Sequence, residues 1–206
     1  MMDLATMRAN VARDLDDAAG AIWSNDELDR AIGRALSDYS AACPRRADTV
    51  IELTQDGREI DVSGVAGMMG IERVWHPYET SESTWPRRWP AFEHHPGGKL
   101  VLLAEPAPAA GESVRVFYWG AHTLDGLDGA SATTLPAADE EIVALGAAGY
   151  AALEKARGAV GAINVSGYTP LHWADWAARR LAEFARRLDQ ARERWAGAES
   201  GPMGMA

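Results

Sequence analysis

Four groups of residues in this 206-residue chain have types that could do chemistry. His94 and His95 are adjacent imidazoles, and imidazole is a common metal ligand. Two rings grip one ion when they share a face, and neighbours on a strand point to opposite faces. No His-Glu-x-x-His or His-x-x-x-His pair occurs elsewhere, so His94 and His95 read as loop or surface histidines. Gly64, Gly67 and Gly70 recur every three residues. A phosphate-cradling loop needs a different spacing and a helix straight after it, so this stretch reads as a turning loop. Asp139-Glu140-Glu141 is a carboxylate cluster that could serve acid–base work. It stands where a helical pattern begins, and there acids favour the positive end of the helix dipole. Cys43 is the lone cysteine, which excludes an internal disulfide and a cysteine-based zinc site. It reads as a small buried residue at a helix end. Gly-x-Ser-x-Gly and Gly-x-x-x-x-Gly-Lys are absent. We therefore expect no catalysis, no metal and no cofactor.

The eight tryptophans are many for this length. Trp173 and Trp195 fall on a helical seam and read as core. Trp85 and Trp89 flank Arg87 and Arg88 in a Ser-, Thr- and Pro-containing loop, residues 79–90. Aromatic residues beside arginine are typical of protein contacts, so this loop is a candidate subunit contact, with a sugar-binding patch as the alternative.

The elements that must position these residues run as helices, then strands, then helices. Leu4, Met7, Val11 and Leu15 space as a helix over 3–18, with Gly20 as its stop. Ser24 with Glu27 predicts a capping box, and Trp23 with Leu28 a hydrophobic staple. Leu28, Ile32, Ala35, Leu36 and Tyr39 continue the apolar face until Pro44 closes the helix. From Asp48 the period becomes two. Val50–Leu53 and Glu59–Val62 flank Gln55-Asp56-Gly57, which predicts a hairpin. Ile71–Trp75, Lys99–Ala104 and Ser113–Trp119 read as further strands of a small antiparallel module. Leu135-Pro136 opens a third helix with Ile142, Leu145, Gly149, Tyr150 and Leu153 along one stripe. Its small residues 146–149 predict close approach of another backbone. Thr169-Pro170 starts the last helix, where Trp173, Ala177, Leu181, Phe184, Leu188, Ala191 and Trp195 form a seam of nearly four heptads. The expected organisation is α+β: N-terminal helices in 1–47, a β-rich insertion and linker in 48–135, C-terminal helices in 136–196, and a flexible tail, 197–206.

A net charge of −10 repels a phosphate backbone and argues against a nucleic-acid reader. No apolar run approaches the roughly 20 residues needed to span a bilayer. The first 20 residues carry acids early and no apolar stretch, so a secretory signal is not expected. A cytoplasmic compartment is the expectation.

Taken in order, these segments resemble the head-to-tail adaptor proteins of tailed bacteriophages, also called connector or head-completion proteins. Trp23-Ser24-Asn25-Asp26-Glu27-Leu28 with Ile32, Ala35, Leu36 and Tyr39-Ser40 is similar to the second helix of that family. Ile71-Glu72-Arg73-Val74-Trp75 takes the place of its central strand. Leu135-Pro136, Glu141-Ile142-Val143 and residues 146–153 are similar to the helix that returns to the bundle, and the Arg-rich final helix matches in position. The resemblance covers about residues 1–195. It implies an antiparallel helical bundle with a β-rich insertion between the second and third long helices. It also implies a ring, commonly of twelve copies, that joins the portal to the stopper or tail and continues the DNA channel. The partners would be other copies, the portal protein and the stopper or tail protein. DNA would pass without sequence-specific binding, and the protein would lie at the virion head–tail interface after assembly in the host cytoplasm. The family is not catalytic, so no active-site residue carries over. The long β insertion and the 79–90 loop do not align to the family.

Residues 48–135 hold 13 acids and 6 bases, −7 of the total charge. On a channel wall such a surface would let DNA slide without sticking; a solvated acidic surface is the alternative. At the other end, Arg186, Arg187, Arg192, Arg194 and Trp195, followed by Met203 and Met205 in the tail, are candidate contacts to an acidic partner such as the portal. Two other functions stay open: a small-molecule-binding or enzymatic domain without a recognisable motif, and a tail-completion protein.

Overall fold

A computed structural model describes residues 2–79, 89–158 and 170–199. The chain is mixed α+β, with four helices and two small antiparallel sheets among the described residues. It divides into two compact units. One is built from residues 1–43 and 122–206, the other from residues 44–121.

The first unit holds helices α1 (Leu4–Asp14), α2 (Asn25–Ala42), α3 (Glu140–Gly158) and α4 (Pro170–Glu199). α1 starts where the Asp3 carboxylate accepts the Thr6 amide, and it buries Leu4, Met7 and Val11. It stops short of Gly20: Asp16 turns left-handed at φ 55°. The Asp17 carboxylate then gathers the amides of Ala21, Ile22 and Trp23 at 2.8–2.9 Å. A short acidic side chain tolerates the left-handed region and organises its own loop, so glycine is not needed there. α2 begins with the expected capping box, the Glu27 amide donating to Ser24 Oγ and the Ser24 amide to Glu27 Oε2. It ends at Ala42, two residues before Pro44.

α3 packs against α1, α2 and α4, and all four helices share one hydrophobic core. α3 buries residues almost all round, well beyond the single stripe expected. Its glycines do admit a close neighbour, though side chains and not a backbone. A Cβ on Gly146 would lie 2.9 Å from the Phe184 ring, and one on Gly149 2.9 Å from Leu181. The α4 seam faces this core: Ala177, Phe184 and Ala191 are buried, while Trp173, Leu181, Leu188 and Trp195 pack partly buried against it. α4 continues through Glu199, so 197–199, expected in the tail, are helical. Its expected cap Thr169 lies outside the described residues.

Residues 122–135, expected in the β insertion, belong to the helical unit, because Leu124, Leu127 and Leu135 are buried in its core. The chain leaves this unit at Cys43 and returns at His122. The His122 amide donates to Ser40 Oγ at 2.9 Å, and its ring nitrogens lie 3.0 Å from the Cys43 carbonyl and 2.9 Å from that of Thr134. Burial pushes the Cys43 thiol up, helped by the nearby Asp139 charge.

The second unit holds β1 (Arg45–Glu52), β2 (Glu59–Asp61), β3 (Met68–Trp75), β4 (Ala91–His95), β5 (Lys99–Leu103) and β6 (Ser113–Gly120). They form two antiparallel sheets, ordered β1-β6-β3 and β2-β5-β4. Val74, Val114 and Val116 of one sheet and Ile60, Leu100 and Leu102 of the other close a single core. The predicted hairpin across Gln55-Asp56-Gly57 does not pair its flanks. β1 pairs with β6 and β2 with β5, and the turn is tied to the 108–110 segment through Gly57 and Asp56. A turn signal is local, whereas partner choice depends on which distant strand completes the core. β4, a strand beyond those the sequence pattern predicts, is short and mostly exposed.

Candidate interaction surfaces

Among the described residues no group of three or more His, Cys, Asp or Glu side chains is placed to hold a metal ion. His94 and His95 are consecutive exposed residues of β4, and His95 sits 3.1 Å from Glu93. Glu140 and Glu141 occupy the first turn of α3 as expected. Asp139 instead works as an anchor. It accepts from Tyr39 of α2 at 2.7 Å and from Arg194 of α4 at 2.6 Å. Burial, with Asp139 as acceptor, raises the Tyr39 hydroxyl far above its ordinary range.

The arginines near the end of α4 are engaged inside the unit. Arg186 and Arg187 both grip Glu183, at 2.6 and 2.9 Å, and Arg187 reaches Glu141 at 3.2 Å. Hydrogen bonds from Arg186, then Arg187, bring the Glu183 carboxyl down to about 2. Arg192 lies 3.5 Å from Asp189, and Arg194 holds Asp139. The local excess of positive charge expected there is thus neutralised by acids that sequence spacing placed near it only in part. Trp195 packs partly buried on the helical core. Met203 and Met205 lie outside the described residues.

In the 79–90 loop, Trp85, Arg87 and Arg88 also lie outside the described residues. Trp89 is half-exposed and borders an open cleft of about 460 Å³ with Leu103, Pro77, Pro106, His76 and Glu112. The buried His76 ring meets Glu112 at 3.0 Å. The Ala109 amide and His76 together outweigh burial and hold Glu112 below the usual carboxylate range.

A surface that sequence reasoning passed over lies on the β1-β6-β3 sheet. Along β6, Val114, Val116 and Tyr118 turn inward, so Arg115, Phe117 and Trp119 share the opposite face. Register aligns three rows across the strands: Val50, Arg115 and Trp75; Asp48, Phe117 and Arg73; Arg46, Trp119 and Gly70. Cations and rings therefore interleave. Arg73 stacks 4.3 Å from the Phe117 centroid, Arg46 4.8 Å from Trp119, and Arg115 5.0–5.4 Å from Phe117, Tyr78 and Trp75. Trp75 and Phe117 meet at 4.7 Å. Arg115 also pairs with Asp48 at 2.8 Å, and Arg46 with Glu72 at 3.5 Å. The signal was present in sequence as Arg73-Val74-Trp75 and Arg115-Val116-Phe117, where a cation and a ring flank an inward valine. Only pairing brings the two runs side by side.

No helix among the described residues is long and apolar enough to cross a membrane. No protein-family model matches the chain, and no curated protein matches it.

Proposed function

We propose that this chain is a non-catalytic structural subunit of the adaptor ring between the portal and the stopper or tail of a tailed bacteriophage. In this reading its four helices form the adaptor-type antiparallel bundle, and the β unit is the insertion between the second and third long helices. The observation that carries the reading is the chain order. One helical unit is closed by both ends of the chain, with a β unit inserted between Cys43 and His122. The capped α2, the small-residue α3 and the Arg-rich α4 support it as the segments that resemble the family. The ring contains several copies, meets the portal on one side and the stopper or tail on the other, and lets DNA pass without base recognition. The experiment is mass spectrometry of purified virions carrying this protein, with electron cryomicroscopy of their head–tail junction. Density for a ring of this chain at the junction is expected. Its absence from virions, or its location elsewhere, overturns the proposal.

A second reading, a small-molecule-binding domain, is favoured by the cleft beside His76, Glu112 and Trp89. A metabolite screen by thermal shift, with Trp89→Ala as control, tests it.

A further inference from the structure

We propose that His122 is a proton-operated clasp of the helical unit: with both ring nitrogens protonated it holds the end of α2 to the segment that leads into α3, and as a neutral ring it releases that segment. The clasp belongs to this chain alone and does not depend on where the protein assembles.

The ring is buried at the residue where the chain returns to the helical unit. Its Nε2 points at the Cys43 carbonyl, 3.0 Å away, and its Nδ1 at the Thr134 carbonyl, 2.9 Å away. A carbonyl oxygen only accepts. Both contacts are therefore hydrogen bonds only when both nitrogens carry hydrogen, which makes the ring an imidazolium. A neutral ring has one N–H and sets a lone pair against the other oxygen. Burial opposes the charge, while two carbonyl dipoles aimed at the ring favour it.

The titratable and charged groups around the ring act in both directions. Tyr39 of α2 meets it at 5.3 Å between ring centroids. Burial pushes the Tyr39 hydroxyl and the Cys43 thiol up, so both stay neutral while a histidine titrates. Asp139, which accepts from Tyr39, favours a cation, and Arg194 and Arg192 of α4 partly offset it. Arg45 donates to the Ala121 carbonyl, one residue before His122, and also opposes a second positive charge.

The two neutral tautomers are not equivalent. Thr134 Oγ1 lies 3.5 Å from Nδ1 and accepts the Thr123 amide at 2.8 Å, so its own hydrogen can turn to Nδ1. The neutral ring then keeps its hydrogen on Nε2 and its bond to Cys43, and the Thr134 carbonyl is the one let go.

The test is a pH titration of the full, nitrogen-15-labelled chain, followed by long-range proton–nitrogen NMR of the imidazoles. His122 is assigned through its contact with the Tyr39 ring. We expect its titration about one pH unit or more above the ordinary histidine value of about 6.5, with hydrogen left on Nε2 above it. A folded value above the unfolded one gives stability that is full below about 6.5 and lost as pH rises through the folded value. Across that window the urea unfolding constant should rise about tenfold more in the unaltered chain than in His122→Gln, whose amide donates at any pH. Thr134→Val removes the hydroxyl that serves the neutral ring and should raise the His122 titration further. A His122 ring that titrates at or below the ordinary value overturns the proposal, as does a neutral ring with its hydrogen on Nδ1. So does a pH dependence of unfolding that His122→Gln leaves unchanged. If His122→Gln does not fold, the nitrogen titration of the unaltered chain decides alone.

Discussion

Gly146 of α3 lies against Phe184 of α4, and the pair gives a double-mutant cycle in which one substitution changes sign. In the unaltered chain, an alanine methyl at 146 would stand 2.9 Å from Phe184 Cδ2 and Cε2 and 3.0 Å from Cγ. Phe184 is only 3% exposed and Tyr150 packs edge-on against it, so the ring must shift against its neighbours to make room. Overpacking of this kind costs about 1–3 kcal/mol, against a helix-propensity gain of about 1 kcal/mol for replacing a mid-helix glycine. The net for Gly146→Ala is a loss of up to about 2 kcal/mol. Phe184→Ala alone removes a buried aromatic and should cost about 3–5 kcal/mol. With the ring gone the clash is gone, and Gly146→Ala should then stabilise by about 1 kcal/mol, through propensity and partial filling of the cavity. The coupling is about 1–3 kcal/mol in favour of the double variant. Urea unfolding of the four proteins, followed by far-ultraviolet circular dichroism at the helical minimum, measures it. Additivity within about 0.5 kcal/mol, or stabilisation by Gly146→Ala in the unaltered chain, would refute the packing argument.

The remaining predictions concern the polar ties of the helical unit. Asp139→Ala leaves the Tyr39 hydroxyl without its acceptor and should cost about 1–3 kcal/mol in urea unfolding; Arg194→Ala, whose side chain is more than half exposed, should cost about 1 kcal/mol or less. The Glu183 carboxyl titrates lower when folded than its ordinary 4.5, at about 2, so its support is present above the ordinary value and lost as pH falls through the folded one. Thermal melts between these pH values should decline, and Glu183→Gln should flatten part of that decline; an identical slope in both proteins would remove Glu183 as a cause. Ser24→Ala should cost about 1 kcal/mol, read from the same melts, because the Glu27 amide loses its cap.

What the sequence determined by itself is local in origin. Ser24, Glu27 and Pro44 bound α2 because capping and proline sterics act within a few residues, and they do so with or without the rest of the fold. The α4 seam was legible for the same reason: a helix converts spacings of three and four into one face, and that face met the core. The strands were visible as alternation, but their partners were not. β1 finds β6, with Asp48 and Arg115 67 residues apart, and the turn at Gln55-Asp56-Gly57 links two sheets where its local chemistry suggested a hairpin. Strand partners are chosen by the collective burial of Val74, Val114, Val116, Ile60, Leu100 and Leu102, a quantity no short window contains. Charge behaved likewise. Four arginines near the end of α4 look like a cationic patch in a linear chain, yet folding brings Asp139, just ahead of α3, and Glu141 within it to two of them, while Glu183 and Asp189 serve from within α4. Arg73, an ordinary strand residue in the sequence, ends beside rings, with no carboxylate in ion-pair reach among the described residues. Which cations remain open depends on distances set by packing, because an ion pair needs its partners within a few ångströms and the chain alone does not place them.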